Sequence, residues 1–204
     1  MLRQNVDMAV LERRSEGLDC PAADAWIDPS RPVKRALITH AHADHARPGS
    51  GEYWAVNQAE GVLRQRLGRE INLHSVAYGE ILTIGEAKVS FHSAGHVLGS
   101  AQIRIEIRGE VWLVTGDYKR CHDPSCTPFE NVKCDVLVTE STFGLPIYRW
   151  KPGREIAEEI YEWWKEEKEH PSLLFCYAFG KAQRILAELN RLGINDEILL
   201  HGAV

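Results

Sequence analysis

Four side chains of the kind that bind metal ions lie within six residues of this sequence, and they constrain its fold more than any other feature. His40, His42, Asp44 and His45 follow directly on the apolar segment Val33 to Ile38. Because a strand points alternate side chains to one face, His40 and His42 can bind one ion while the following turn directs Asp44 and His45 towards a second. Two adjacent divalent ions make water a nucleophile at neutral pH. The run therefore predicts a binuclear metal centre rather than a polar loop that happens to be rich in histidine.

Two further ligand-type residues follow predicted strands downstream. His96 comes after Ala94-Gly95 at the end of the alternating segment 87–91, and Asp117 comes after Gly116 at the end of the apolar segment 111–115. Loops at strand ends are where a rigid sheet can direct several ligands to one point. We therefore expect His96 and Asp117 to join the same centre.

The run His-x-His-x-Asp-His, followed by a lone histidine and then a lone aspartate, resembles the signature of the metallo-β-lactamase fold hydrolases over roughly residues 18 to 145. The resemblance implies an α/β fold, an αββα sandwich. It also implies that one zinc is bound by His40, His42 and His96, that the other is bound by Asp44 and His45, and that Asp117 bridges them. Asp28, in Trp26-Ile-Asp-Pro29, corresponds to an early aspartate that supports the ligand loop, although an ordinary Asp-Pro turn would give the same residues.

Three other stretches resemble the β-CASP branch of this fold, the nucleases that process nucleic acids. They are Gly95-His-Val-Leu-Gly-Ser-Ala-Gln102, Thr115-Gly-Asp-Tyr-Lys119 and Val138-Thr-Glu-Ser-Thr-Phe-Gly144. The resemblance places Glu140 in the active site. Phe179-Gly-Lys-Ala-Gln-Arg-Ile-Leu186 resembles the step from strand to helix that opens the β-CASP insert. We thus expect a metallo-β-lactamase domain over residues 1–150 and the beginning of a truncated β-CASP domain over residues 151–204.

Within this branch the chain is most similar to bacterial DNA-ligase-associated exonucleases, which are related to mRNA 3′-end processing factors. The resemblance implies a 3′-end-processing exonuclease of DNA repair, with an ATP-dependent DNA ligase and a helicase as partners. Two divalent ions would activate water for phosphodiester hydrolysis, zinc being favoured by the histidines and manganese compatible with the carboxylates. Asp44, Asp117 and Glu140 are the expected catalytic residues. The expected contacts to phosphate or nucleic acid are Ser100, Lys119, Ser141, Thr142 and Lys181.

Family members carry two more histidines beyond the β-CASP insert, and this sequence reaches His201-Gly-Ala-Val204 before either. His201 follows the apolar run Ile198 to Leu200 and is predicted to end a strand. One of these histidines would bind the second zinc and the other would donate a proton. Occupancy of the second zinc site, proton donation and activity are therefore in question for this sequence.

Three alternatives remain open at this point. An RNA-processing β-CASP nuclease would share every motif described above. A small-molecule hydrolase of the same fold, such as a thioesterase or lactonase, is disfavoured by the stretches at 139–143 and 179–183. A non-catalytic scaffold subunit is disfavoured by the intact ligand set.

Composition agrees with these expectations but could not have produced them. The chain has 204 residues, 44% of them hydrophobic, and a net charge of −5, which does not suggest a nucleic-acid binder. Two bound cations and nearby basic residues would compensate, and these residues are Arg47, Lys119, Arg120, Lys181 and Arg184. With no membrane-length apolar stretch and no signal peptide, we expect a cytoplasmic protein that does not contact membranes. Five irregularly spaced cysteines fit a reducing compartment rather than a disulfide framework.

Alternation and turn residues predict eight strands. These are 33–39, 52–56, 71–77, 80–84, 87–93, 101–108, 111–115 and 135–139, with a hairpin at Gly109-Glu110. A helix is expected from Asn57 to Leu67 with Glu60 completing a capping box, and two more over 154–169 and 180–191. A buried strand over 173–177 is expected between the last two helices. For Trp54 and Trp150 the sequence does not decide between packing and stacking on bases.

Overall fold

A computed structural model describes residues 9–166 and 169–204. It shows a mixed α/β sandwich in which two sheets contribute to one apolar core. The largest wholly buried side chains come from both sheets and include Leu37 and Tyr53 from the first and Phe91 and Ile103 from the second. The predicted α/β class and its two-sheet architecture are confirmed.

The first sheet holds six strands in the order of the chain. They are β1 (Glu12–Arg14), β2 (Gly17–Cys20), β3 (Ala25–Ile27), β4 (Arg35–Leu37), β5 (Glu52–Val56) and β6 (Leu73–Val76). The first three pair antiparallel, whereas β3 to β6 are parallel. The parallel half therefore sends the carboxyl ends of β3, β4 and β5 to one edge of the sheet, which is the usual place for a site in such sheets.

The second sheet holds five strands in the spatial order β11-β10-β9-β8-β7. They are β7 (Leu82–Ile84), β8 (Ala87–Ser93), β9 (Ala101–Ile107), β10 (Glu110–Val114) and β11 (Val136–Val138). The predicted hairpin is confirmed between β9 and β10, where Ile107 pairs with Glu110. Arg108 and Gly109 form its turn with φ angles of 53° and 89°, so both central residues are left-handed as a two-residue hairpin of this twist requires.

Three α-helices accompany the sheets in the described residues: α1 (Glu60–Leu67), α2 (Gly153–Glu166) and α3 (Lys181–Arg191). The predicted capping box at Glu60 is wrong. A short 3₁₀ helix over Asn57–Ala59 precedes α1, and the Glu60 carboxylate instead accepts hydrogen bonds from Arg64 and Ser75. Local ion pairing thus replaces the expected cap.

A backbone hydrogen bond joins the two sheets beside the predicted site. The Ala101 N–H, at the start of β9, donates to the Thr39 carbonyl oxygen at 2.7 Å. Thr39 follows β4, so this bond fixes the beginning of the ligand run against the second sheet. Ala101 and Thr39 are both buried, which shields the bond from water.

Two predictions about strands are wrong. The segment 173–177 forms no strand, and its apolar side chains are exposed, including Phe175 at 91%. The run before His201 is likewise exposed and irregular. Among the described residues neither segment pairs with a neighbouring strand, and a strand without a partner leaves its backbone unsatisfied. The opposite error occurs near the N-terminus, where β1, β2 and β3 were not predicted because strands of three or four residues show too little alternation.

The helix expected over 154–169 is found to Glu166, and residues 167 and 168 lie outside the described part of the chain. Helices α2 and α3 pack on each other. The division of the chain near residue 150 remains a prediction. Of the helices that the structure describes, none combines the length and apolar character needed to cross a membrane.

Candidate metal centre

Asp28 lies beneath the ligand run and holds its first turn in place. Its carboxylate accepts hydrogen bonds from the Thr39 N–H at 2.8 Å and from the Thr39 hydroxyl, and it lies 2.8 Å from Nδ1 of His45. Asp28 itself adopts a left-handed φ of 43°, which aspartate tolerates better than most residues. Because Nδ1 of His45 faces this carboxylate, Nε2 is left to face the centre, as in carboxylate–histidine–metal arrangements.

Three imidazole nitrogens from two sheets converge on one point. Nδ1 of His42 lies 2.9 Å from Nε2 of His40 and 3.4 Å from Nε2 of His96. Donor atoms about 2.0–2.1 Å from a tetrahedral zinc lie roughly 3.3–3.4 Å from one another, so this spacing suits a single small cation. With Asp117 added, the four ligand atoms all lie within 4.8 Å of one another.

The carboxylate of Asp117 lies between two groups of donors. Its Oδ2 atom lies 3.8 Å from Nε2 of His40 and 3.7 Å from Nε2 of His96, whereas its Oδ1 atom lies 3.4 Å from Nε2 of His45. Asp44 completes the second group, with its Oδ2 atom 3.6 Å from the same nitrogen of His45. One carboxylate thus presents a different oxygen to each group.

The protonation of these groups fits a cation site. Burial, reinforced by the neighbouring imidazoles, lowers the pKa of His96 to about 4 and that of His40 far below its ordinary value. Neutral imidazoles keep the lone pair that a metal requires. Burial raises the pKa of Asp117, and the charges of Glu140 and Asp44 add to the effect, although His45 opposes it. A bound cation would relieve this repulsion among carboxylates.

Glu140 follows β11 and is held at the rim of the centre by two backbone donors. Its Oε1 atom accepts from the Tyr118 N–H at 3.3 Å and its Oε2 atom from the Thr142 N–H at 3.2 Å. Tyr118 is the neighbour of Asp117 in sequence, so Glu140 is fixed beside the Asp117 carboxylate. The β-CASP resemblance implies an active-site carboxylic acid at this position.

The residues expected to contact phosphate have divergent surroundings. Lys119, Ser141, Thr142 and Lys181 line an open cleft of about 2140 Å³ that also contains Asp44 and Asp117. Ser100 does not, because it is 1% exposed and its hydroxyl oxygen accepts hydrogen bonds from the N–H groups of His96 and Val97. The structure therefore gives Ser100 a supporting place in the His96 loop rather than a place in the lining of the cleft.

Two features of the site were not predicted from the sequence. Nε2 of His42 lies 3.3 Å from the Phe179 carbonyl oxygen, which is a backbone atom and leaves no trace in side-chain motifs. Asp123 is 4% exposed and joins Lys119 of the cleft to Arg184 of α3, with Lys119 Nζ at 2.5 Å and Arg184 Nε at 3.6 Å. The spacing of Lys119 and Asp123 could have suggested a pair, but Arg184 is too distant in sequence to be linked to them by pattern.

Similarities to known proteins agree with this geometry. No family model matches the chain. A protein of Opitutus terrae named "Probable DNA ligase" is 30% identical over 192 residues, covering 92% of this chain and 18% of that protein. "Cleavage and polyadenylation specificity factor subunit 3" of Dictyostelium discoideum is 34% identical over 63% of this chain and 17% of its own length. An "RNase J-like protein" of Methanocaldococcus jannaschii is 36% identical over 58% of this chain and 30% of its own length.

A solved structure supports the fold alone. A protein of unknown function from Enterococcus faecalis superposes with a TM-score of 0.55 at 12% identity, over 76% of this chain and 44% of that one. The chain spans less than a third of each of the three curated relatives. The fold, the motif over residues 40–45 and these relatives together show that the chain belongs to the β-CASP nuclease branch of the metallo-β-lactamase fold.

Proposed function

We propose that this chain carries the metal centre of a nuclease that hydrolyses DNA and removes nucleotides from 3′ ends during DNA repair. The observation that carries the proposal is the position of Asp117, whose two oxygens face two separate groups of donors. Such a bridging carboxylate is what a pair of adjacent divalent ions requires. The centre opens onto an open cleft of about 2140 Å³ rather than onto an enclosed pocket.

The described residues divide into two sets of ligands. His40, His42 and His96 would hold the first ion, Asp44 and His45 the second, and Asp117 would bridge them. Zinc suits the imidazoles, and manganese is compatible with the carboxylates. The first set is the more complete, so we expect it to bind its ion more tightly.

When bound, two divalent ions lower the pKa of water and neutralise charge that develops on a phosphate. The protein orients the reactants around them. Asp44 is exposed at the mouth of the cleft and would accept a hydrogen bond from the attacking water. Glu140, fixed beside Asp117 by backbone donors, would accept the proton that the attacking water releases or pass a proton towards the leaving oxygen. Lys119, Lys181, Ser141 and Thr142 would position phosphates along the cleft.

The preference for DNA is supported by the relative whose name includes DNA ligase, because it matches 92% of this chain. The same similarity supports an ATP-dependent DNA ligase as a partner, and the family resemblance adds a helicase. RNA is the second candidate substrate, favoured by the relatives named as a polyadenylation factor and an RNase J-like protein.

The test is digestion of a single-stranded DNA and an RNA of the same sequence, each labelled at the 5′ end in one sample and at the 3′ end in another, with zinc or manganese added. The Asp44→Ala variant removes a ligand whose side chain is 73% exposed, so the fold should be kept. Asp196→Ala changes an exposed aspartate outside the cleft and is the control. Stepwise shortening of 5′-labelled DNA that is lost only with Asp44→Ala supports the proposal. Preferential cleavage of RNA favours the second candidate, and hydrolysis of esters without cleavage of either polymer overturns both.

A further inference from the structure

Three aromatic rings form an exposed slot at the rim of the cleft. The rings of Tyr148 and Trp150 are parallel within 9°, with centroids 6.3 Å apart. Phe143 stands nearly perpendicular to both, at 5.1 Å from Tyr148 and 5.3 Å from Trp150. Tyr148 and Trp150 thus have nearly parallel rings and Phe143 stands edge-on to both, and we call this exposed cluster the aromatic slot.

The aromatic slot is held open to solvent. Trp150 is 72% exposed, Phe143 is 58% exposed and Tyr148 is 41% exposed. Apolar surface of this size in contact with water is unfavourable, and a contiguous exposed patch of this kind commonly marks a binding surface. Within the described residues, the three rings contact one another and are not among the side chains of the apolar core.

The aromatic slot belongs to the same cleft as the metal centre. Phe143, Tyr148 and Trp150 line that cleft together with Asp44 and Asp117. Phe143 follows Glu140 by three residues, so their Cα atoms are at most about 11 Å apart. A polymer whose phosphate lies at the centre would therefore place a neighbouring unit beside the slot.

We propose that the aromatic slot binds an unpaired nucleobase of a single-stranded substrate, an inference that rests on the proposed nuclease function. An exposed aromatic ring is a platform on which a base can stack, and Tyr148 and Trp150 offer two such rings in nearly parallel planes. Every base offers a π face, so this recognition requires no particular sequence. A base in a duplex is already stacked on both sides, so the slot selects single strands.

Charge around the slot complements a nucleic acid rather than an apolar protein surface. Arg149 lies between the two parallel rings in sequence and makes no ion pair in the part of the chain that the structure describes. Arg120 and Lys181 also line the cleft, together with Lys119 and Arg184, which share the carboxylate of Asp123. A phosphate backbone beside a stacked base is the partner that aromatic and basic groups bind together.

The test compares two fluorescent decamers that carry equal numbers of phosphates, one of thymidines and one abasic, by anisotropy in EDTA so that neither is cut. The wild-type chain should bind the thymidine decamer roughly 5- to 150-fold more tightly than the abasic one, the range expected for one stacked base. Trp150→Ala should abolish this preference while leaving affinity for the abasic decamer unchanged. Trp163→Ala removes an exposed tryptophan on α2 outside the cleft and should keep the preference.

Equal binding of both decamers by the wild-type chain overturns the proposal, as does a preference that persists in Trp150→Ala. If the slot instead joins two copies of the chain, Trp150→Ala will change the sedimentation coefficient and not the base preference, which also overturns it. Base preference is measured without cleavage, so a chain that prefers bases but never cuts contradicts the nuclease function and not the slot. A chain that cuts DNA without preferring bases contradicts the slot alone.

Discussion

His42 and Phe179 are 137 residues apart in the chain, and Nε2 of His42 lies 3.3 Å from the Phe179 carbonyl oxygen. A carbonyl can only accept, so this contact fixes a proton on Nε2 and leaves Nδ1, which faces His40 and His96, as the free lone pair. Phe179, which lies two residues before α3, thus selects the tautomer of a candidate metal ligand that follows β4.

Gly180→Ala should disturb this contact. Gly180 has a φ of +93°, and a Cβ atom there would lie 2.5 Å from Cγ1 of Val97, so we expect the strained backbone that carries the Phe179 carbonyl to shift away from Val97. Loss of such an outer contact typically weakens metal binding about 10- to 100-fold. Competition for zinc against a chromophoric chelator measures the effect.

The matched control for this prediction is Gly193→Ala. Gly193 also has a positive φ, +79°, but a Cβ atom there meets nothing within 4 Å. An alanine at this position imposes similar backbone strain at the other end of α3 but no steric clash. Equal loss of zinc affinity in both variants would show that strain, and not the carbonyl, is responsible.

Asp28→Asn should selectively weaken the binding of the second ion, the one assigned to Asp44 and His45. An amide NH₂ facing Nδ1 of His45 would donate to it and move the ring proton to Nε2, the atom that faces Asp117. We expect about a 10- to 100-fold loss of affinity at the weaker of two sites in a zinc titration. Asp24→Asn is the control, because Asp24 shares the left-handed φ but pairs only at the surface with Lys34. A loss confined to the tighter site would contradict the assignment of His45.

The residues of the candidate metal centre could be predicted from the sequence because they are close together in the chain or follow recognisable strands. His40 to His45 occupy one turn, and His96 and Asp117 each follow a strand whose position was predicted closely. The structure brings all of them together, and Asp28 joins them through hydrogen bonds that the sequence only suggested by position.

What the sequence could not supply depends on backbone atoms, burial or distant pairing. The Phe179 carbonyl has no side-chain signature, and the inward orientation of Ser100 follows from loop geometry that a Gly-Ser dipeptide does not specify. The segment 173–177 has the composition of a strand, but composition does not state whether a partner strand is present. Trp150 was undecided because only the tertiary structure shows its ring parallel to Tyr148.

Asp123→Asn should reduce stability in a way that depends on pH. Burial raises the pKa of Asp123, but hydrogen bonds from Lys119 and Ser125 outweigh it and hold the pKa below its ordinary value. A depressed pKa contributes stability above the unfolded value of about 3.9, and this contribution is lost as the pH falls below it. We expect the variant to be less stable by about 1.5–3 kcal/mol at pH 7 and by clearly less at pH 3.

Urea unfolding at the two pH values measures this difference. Glu159 lies on α2 and forms an exposed ion pair with Lys151, which precedes the helix. Glu159→Gln removes this pair and should change stability little at either pH. A deficit of Asp123→Asn that does not shrink at pH 3 would mean that the carboxylate charge is not what stabilises this link to α3.

Gly116→Ala should separate the two sheets at the centre. Gly116 has a φ of +55°, and a Cβ atom there would lie 2.6 Å from Cβ of Thr39. Overpacking of this kind costs about 1–3 kcal/mol. Gly109→Ala, with a φ of +89° and open space around it, isolates the cost of backbone strain. Urea unfolding should show the larger loss for Gly116→Ala, and equal losses would contradict a tight approach of the sheets.

The hydrogen bond from Ala101 to Thr39 has a consequence for how variation in this chain will be tolerated. It ties the strand that precedes one half of the ligands to the sheet that supplies the other half, so the spacing between sheets sets the spacing between ligands. Small buried residues near this bond, such as Ala36 and Ala101, are not themselves candidate ligands, yet we expect enlarging them to alter metal binding. Substitutions that abolish activity should therefore cluster at these alanines as well as at the histidines, and a survey of inactive variants would find a second set hidden in the core.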